Sequence, residues 1–423
     1  MFNYRKNEKG QAIILIALAI LGLLAFTALA IDTGNSFADR RHAQLAADNA
    51  ALAGALAKAN PPENVTHDAY LITSRNGYTN DADHQVDVMD GVYGGPFRDC
   101  KGNIIDPVNH ADPDDNISQY VQVTIHSSVV TYFGQVIGIY KMYNCVYSIA
   151  RQEPSQVKTL FRGQQMAAVN CEAKDAMDTT GSSKVYLIGG GMFSNSAHEE
   201  SLLIHSPGNL ETLSVTAVGG IKANGWNETD LLDFQTHESI PCPFPDYMLP
   251  KYSCTYTYNV DFPPRDGDDN VDIVFDPVTN TNKYVISPGT YCLNAKFNNP
   301  NMEGEDVTFV MLNEGIYWES NTTGFSLKAT DDSASPVNHI LIYMPPENTH
   351  AIVMNGGFNL TMEGIVLAPG ANITLNGTFD DASFKTQWIG NTIKMAGDLN
   401  ATFVYDDALA RDYVQPPLIS LWR

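Results

Sequence analysis

The sequence predicts an α+β head followed by an all-β body. In this reading a long N-terminal helix packs on a small antiparallel sheet, and a parallel β-helix follows. Three observations carry the prediction. The run Ala12 to Ile31 holds no charged residue and is long enough for a helix to cross a bilayer. From Ala38 to Ala57 the sequence stays rich in alanine, the strongest helix former. Beyond about residue 170, apolar runs of strand length alternate with Gly/Asn turns, and no long helical period appears.

Bulk composition narrows the function. A chain of 423 residues exceeds what one hydrophobic core normally holds, so several domains are expected. Asp and Glu number 48 against 25 Lys and Arg, a formal net charge of −23. Such a polyanion lacks the basic stripes that bind phosphate, which excludes nucleic acid as a partner. The acidic surface suits a soluble extracellular body. The cysteines are Cys100, Cys145, Cys171, Cys242, Cys254 and Cys292, and none forms a CxxC pair. Zinc and thioredoxin-like readings are therefore disfavoured, and no metal or cofactor is expected. Behind an export segment, disulfides are the natural state. Six cysteines allow about 15 pairings; Cys100–Cys145, Cys171–Cys242 and Cys254–Cys292 are favoured.

At the head, Arg5, Lys6 and Lys9 precede the apolar run, and the positive-inside rule puts them in the cytoplasm with the rest of the chain outside. A signal peptide is the alternative. Its apolar region spans about 7–15 residues, shorter than this run, and here the helical signal continues until Asn60-Pro61-Pro62. Residues 1–60 are thus read as one helix with a membrane span at 12–31 and an amphipathic extension at 32–58. From Ala12 to Lys58 it is ~70 Å long at about 1.5 Å per residue. Leu45, Asn49, Leu52 and Leu56 fall on one helical face and form the candidate assembly face for self-association or for pilin-like partners. Ala46, Ala50, Ala53, Gly54 and Ala57 make the neighbouring faces small, so other helices can approach closely.

Lys9-Gly10-Gln11-Ala12, then Asp32-Thr33-Gly34, Arg40-Arg41 and the stretch Gln44 to Ala55 resemble the N-terminal module of TadG-like, Flp/Tad pilus-assembly proteins. The resemblance covers roughly the first 60 residues. It implies an inner-membrane or pilus-associated protein of a prokaryotic surface assembly, and a helix whose outer half packs on a small sheet. Gly10 and Gln11 flank the candidate processing site. Type IV prepilins usually carry a glutamate five residues after the processed glycine; here Leu15 stands there. The von Willebrand A domain of larger relatives is not evident.

Residues 61–165 read as a pilin-like α+β domain. Ala69 to Gly77 predicts a short helix stopped by Gly77. Thr79–Asp90, Tyr120–Val130 and Met142–Arg151 predict strands, Gly91 to Asp115 a loop, and Tyr132 to Ile139 a short amphipathic helix.

Residues 166–415 carry the predicted β-helix, with a two-sheet sandwich as the alternative. Asn-Gly pairs at 224–225, 355–356 and 376–377 ordinarily mark antiparallel hairpins. Short, near-uniform strands with Asn at their ends favour parallel stacking instead, because stacked amides form ladders. Pro288 to Cys292, His339 to Tyr343, Gly364 to Pro369 and Pro416 to Ile419 also resemble β-helical ectodomains attached to TadG-like heads. A proline-rich insertion is read at 226–275, packed across the strands and tied by Cys242 and Cys254, and 416–423 is a C-terminal tail.

No catalytic constellation stands out. Asp331 to Ser335 matches DxSxS, but Pro336 and a strand follow instead of a helix. Asp266 to Asn270 is rich in oxygen ligands yet lacks the glycine and terminal glutamate of an EF-hand loop. His198-Glu199-Glu200 with His205 is not HExxH. Glu303, Glu305, Asp306, Glu314 and Glu319 are candidate acids should the body act on polysaccharide. Sequons occur at Asn64, Asn116, Asn227, Asn321, Asn359, Asn372, Asn376 and Asn400. The expected function is a structural, non-enzymatic surface protein of a Tad/type IV pilus-like system, anchored through residues 12–31 or polymerised through the helix. The alternative is a surface adhesin or polysaccharide-acting enzyme, with glycans as ligands.

Overall fold

The computed structural model describes residues 11–60, 62–93, 95–113, 115–181, 183–205, 210–224, 239–277, 280–298, 301–319, 324–380 and 382–422. Gly10, and with it the candidate cleavage point, lies outside the described residues, as do Arg5, Lys6, Lys9, residues 226–238 of the insertion and the sequons at Asn227 and Asn321. The chain divides into two units: Met1–Gln156 with Pro416–Arg423, and Val157–Gln415.

In the first unit, helix α1 runs unbroken over Gln11–Ala59. Helix α2, Val65–Arg75, begins where the Asn64 side chain accepts from the His67 N–H at 3.0 Å, which satisfies one of the free donors of a helix start. Both helices accompany an antiparallel sheet whose order is His84–Asp90, Tyr120–Val130, Lys141–Glu153, Leu418–Leu421. The last strand is a departure from the expected tail. Alternate residues of Leu418–Leu421 are partly buried, and the sheet edge at Lys141–Glu153 supplies the hydrogen-bond partners that fix them in extended form.

One face of this sheet presents Val86, Val123, Ile125, Val146 and Ala150. Against it lie Ala43, Ala46, Ala47, Ala50, Ala51 and Ala55 of α1, all fully buried. Small side chains let the helix backbone come close to the sheet, and dense interior packing leaves no room for larger ones. The alanine faces read as free for foreign helices are thus largely occupied by the protein's own sheet. Tyr132 to Ile139 is also corrected: only Gly134–Ile137 forms a 3-10 turn. Glycine at 138, with φ +85°, ends the turn in the left-handed region. The loop 91–115 contains a two-strand pairing, Phe97–Arg98 with Ile104–Ile105, and the Cys100–Cys145 disulfide fastens it to the sheet. Arg151 holds the far end of that loop through Asp112 at 3.5 Å and Asp115 at 3.3 Å.

The second unit is a largely β body with many strands, most of them paired in parallel. One ladder connects Tyr256–Tyr258, Gly289–Leu293, Val307–Met311, Ile340–Tyr343, Thr361–Asp380, Ser383–Val404, Gln164–Ala168, Gly191–Ser194 and Val215–Ala217, each parallel to the next. A second connects Ile316–Trp318, Ile352–Phe358, the later parts of the two long strands, Met177–Thr179, Leu202–Ile204 and Ile221–Ala223. A third joins Thr281–Ile286, Met302–Gly304, Ser326–Lys328 and the beginnings of the long strands. The spatial order is not the sequence order. Ser383–Val404 takes Gln164–Ala168, Met177–Thr179 and Lys184–Ile188 as neighbours, so the first strands of the unit adjoin the last.

Apolar side chains from the ladders fill the core. Phe262, Phe297, Phe309 and Trp318 are fully buried, and their rings meet at centroid distances of 4.6 Å (Phe297 and Phe309) and 5.6 Å (Phe297 and Trp318). Asparagines ladder at strand ends. Asn313 donates to Asn294 at 2.8 Å, Asn294 to Asn259 at 2.8 Å, Asn170 to Asn391 at 3.0 Å and Asn391 to Asn372 at 2.9 Å. The Asn-Gly pairs at 355–356 and 376–377 stack on one another rather than making hairpins, with Asn376 donating to Asn355 at 3.1 Å. Gly356 has φ +73° there, and a Cβ on it would stand 2.7 Å from the Thr378 carbonyl oxygen.

From 239 to 255 the chain leaves the ladders and forms a strap. Its Ile240, Phe244, Tyr247, Met248 and Tyr252 pack on a second core cluster containing Phe161, Phe193, Tyr343 and Cys292. Disulfides Cys171–Cys242 and Cys254–Cys292 tie it near both ends. The interruption is shorter than the 226–275 expected. Tyr256–Tyr258 already pairs in parallel with Tyr291–Leu293, and Val271–Asp276 makes an antiparallel pair with Thr281–Ile286. Nearby prolines and aspartates obscured these strands in the sequence.

Candidate functional site

The character of α1 changes at Asp32. Before it, Ile13, Leu18, Leu24, Phe26 and Leu29 are all exposed, and the most apolar window of the helix has none of its residues buried. At Asp32 and Ser36 burial begins, both side chains being about 6 % exposed. Exposed large hydrophobics in so long a run are unfavourable in water and signal an apolar surrounding.

The change is built from the face on which Asp32, Ser36, Asp39, Ala43, Ala46 and Ala50 recur at spacings of three and four. The Asp32 carboxylate accepts the backbone N–H groups of Tyr132 at 2.7 Å, Phe133 at 3.0 Å and Gly134 at 2.7 Å. Burial pushes this carboxyl up, but the three backbone donors outweigh it and hold the group below the usual carboxylate range. One turn further, Ser36 donates to the Asn144 side-chain oxygen at 3.2 Å, and Asn144 donates to Asp39 at 2.8 Å. Ser127 and Tyr78 also donate to Asp39. Burial and the Asp39 charge push the Tyr78 hydroxyl well above its ordinary value. Gln44 then donates to the Tyr147 carbonyl at 3.1 Å, and Lys58 pairs with Asp90 at the end of the helix. The C-terminal half of α1 is therefore fastened by polar ties at both ends and by alanine packing between them.

On the candidate assembly face, Leu45, Asn49 and Leu56 are exposed, and Leu52 is half-buried beside the alanine cluster. Leu45, Asn49 and Leu56 thus stand on the helix surface left uncovered, whereas Leu52 packs against the protein's own core. Sequence reasoning singled them out but missed Asp32 and Asp39 as anchors. The signal was available in two carboxylates aligned with the alanine stripe.

Several of the other candidates make ion pairs or hydrogen bonds with their neighbours. Glu303 pairs with Lys283 across adjacent strands. Glu200 pairs with Lys174 at 2.6 Å and with Lys222, while His205 lies 3.9 Å from Asp178. Burial pushes the Asp178 carboxyl up, partly offset by Lys394 at 3.3 Å. Asp268 accepts from the Tyr258 hydroxyl at 2.7 Å, and Asp332 accepts from the Ala334 N–H at 2.9 Å within a turn. Among the described residues no group of three or more His, Cys, Asp or Glu is placed to hold a metal ion. Of the sequon asparagines, Asn64 and Asn116 cap helical turns, and Asn372 and Asn376 stand in the amide ladders.

No curated protein matches the chain. A family model does match over residues 10–57, a stretch that takes in most of the helix just described: this part of the chain is similar to the Tad model, Flp pilus-assembly TadE/G-like.

Proposed function

We propose that the protein is a structural cell-surface component of a Tad/type IV pilus-like system. Residues 12–31 anchor it in the membrane or join it to a pilus-like assembly. A pilin-like head follows, and the body is displayed outside the cell as a parallel β-helix. One observation carries this reading: α1 is bare and apolar up to Ile31 and docked from Asp32 onward. The first half thus has a surface to give to lipid or to neighbouring helices, while the second carries its own domain. The Tad domain supports a pilus-assembly role. The successive parallel ladders and stacked asparagines support the β-helix reading. Leu45, Asn49 and Leu56 are the proposed contact points between copies.

The deciding experiment shears cells and identifies the N-terminus in the fibre and membrane fractions by mass spectrometry. Intact Met1 confined to membranes supports the anchored form; chains beginning at Gln11 in sheared fibres support the polymerised form. Recovery of the chain from the cytosol alone defeats both. The reading is also non-enzymatic, so turnover of acidic glycans that is lost on Glu303→Gln or Asp178→Asn substitution would overturn it.

A further inference from the structure

The connection between the strands Tyr120–Val130 and Lys141–Glu153 has the wrong composition for a turn in water. Residues 132–140 (YFGQVIGIY) carry no charge, whereas turns normally expose polar residues. Yet this one is bare: Val136 is 87 % and Ile137 77 % exposed, with Tyr132, Ile139 and Tyr140 also exposed. Exposed contiguous apolar residues mark a contact surface.

Three further features identify what covers it. The turn is held in place, because Asp32 collects the N–H groups of Tyr132, Phe133 and Gly134, and Ile139 donates back to the Gly134 carbonyl at 2.9 Å. It also lies beside the apolar half of α1. An open groove of about 410 Å³ is lined by Leu24, Ala28 and Leu29 on the helix and by Phe133, Val136 and Ile137 on the turn. Leu24 precedes Asp32 by roughly 12 Å of helix at about 1.5 Å per residue, so the turn runs along the uncharged segment. Finally, its polarity is graded. Tyr132 and Tyr140 bracket the aliphatic tip, and charge begins immediately behind them at Lys141, paired with Asp83. Tyrosine favours the headgroup level of a bilayer, and aliphatic side chains favour the acyl boundary.

We infer that Tyr132–Tyr140 is a membrane wedge. It inserts into the leaflet on the body's side, with Val136 and Ile137 in the acyl boundary and both tyrosines at the headgroups. The protein would then meet the bilayer through a span and a wedge joined by Asp32. This inference rests on reading residues 12–31 as a membrane span, and the test separates the two.

Full-length protein is reconstituted at low density in vesicles of phosphatidylethanolamine and phosphatidylglycerol. An environment-sensitive fluorophore is attached at Val136→Cys, Leu21→Cys or Gln85→Cys in turn. Lipids with a nitroxide part-way down the acyl chain quench from inside the leaflet, and iodide quenches from water. The wedge predicts roughly twofold or greater lipid quenching at position 136 with little iodide access, and the opposite at position 85. Adding Val136→Asp and Ile137→Asp to a chain labelled at Tyr140→Cys should restore iodide access there. Lipid quenching at 21 with iodide access at 136 overturns the wedge and leaves the span intact. Shielding of 136 from both quenchers means that protein covers the turn, and also overturns the wedge. Absence of lipid quenching at 21 defeats the span itself, and the wedge with it.

Discussion

Asp32 and Gly134, 102 residues apart in sequence, meet at 2.7 Å, carboxylate to backbone N–H. This contact fixes where the bare part of α1 ends and the folded part begins. Its strength comes from a charged acceptor shared by three backbone donors.

The Asp32 tie is pH-dependent. Its folded-state carboxyl is held below the ordinary value, so its contribution is fully present above the unfolded value of about 3.9 and is lost as pH falls through the folded one. Hydrogen exchange should show the Tyr132, Phe133 and Gly134 amides protected at neutral pH. Asp32→Ala should lower that protection by about tenfold or more through local opening, leaving the strands of the distal unit unchanged.

The alanine face and the leucine face of α1 should respond oppositely. Ala50 is fully buried against the sheet, and Ala50→Leu should destabilise the first unit by ~1–3 kcal/mol through overpacking. Leu45→Ala and Leu56→Ala, on the exposed side, should change monomer stability by no more than about 0.5 kcal/mol. If this face joins copies, those two substitutions lower self-association in cross-linking. Chemical denaturation in detergent measures the stabilities.

Aromatic truncation in the second unit should be severe. Phe309 is fully buried and touches Phe262, Tyr291 and Phe297. Phe309→Ala should cost ~3–5 kcal/mol, from lost transfer free energy and a residual cavity. Thermal unfolding followed by near-ultraviolet circular dichroism reads this directly.

The strap depends on its two disulfides. Replacing Cys254 and Cys292 together by serine should destabilise the second unit by about 2–5 kcal/mol. Limited proteolysis should then cut within 239–255, a segment the intact protein holds against Phe161 and Tyr343. Unchanged stability and cleavage would mean that packing alone secures the strap.

Much of the head was legible because local signals and tertiary demands agree there. The apolar run, the alanine-rich extension and the strand Tyr120–Val130 all carry their own period. The role of Asp32 was hidden because its partners are backbone amides, which have no sequence signature. Tyr132 to Ile139 suggested a helix since apolar spacing alone does not separate a short helix from a turn; Gly134 and Gly138 decide for the turn. In the body, strand positions and stacked asparagines were readable, but Tyr256–Tyr258 was masked by surrounding prolines and aspartates. The order of strands in space was also out of reach, because every apolar strand offers the same pattern to any neighbour.

That order has a consequence for how the chain is made. Gln164–Ala168 lies between Gly191–Ser194 and a segment of Ser383–Val404. As a polypeptide emerges from its N-terminus, the early strands therefore wait, one edge open, until more than two hundred further residues have appeared. An unpaired edge of this kind is a template for wrong partners, and long-range pairing is slow to form. Completion of these ladders is a late event, dictated by Ser383–Val404. Chains stopped before that strand would expose the same edge, so C-terminal truncation should be read out as aggregation rather than as a smaller folded product.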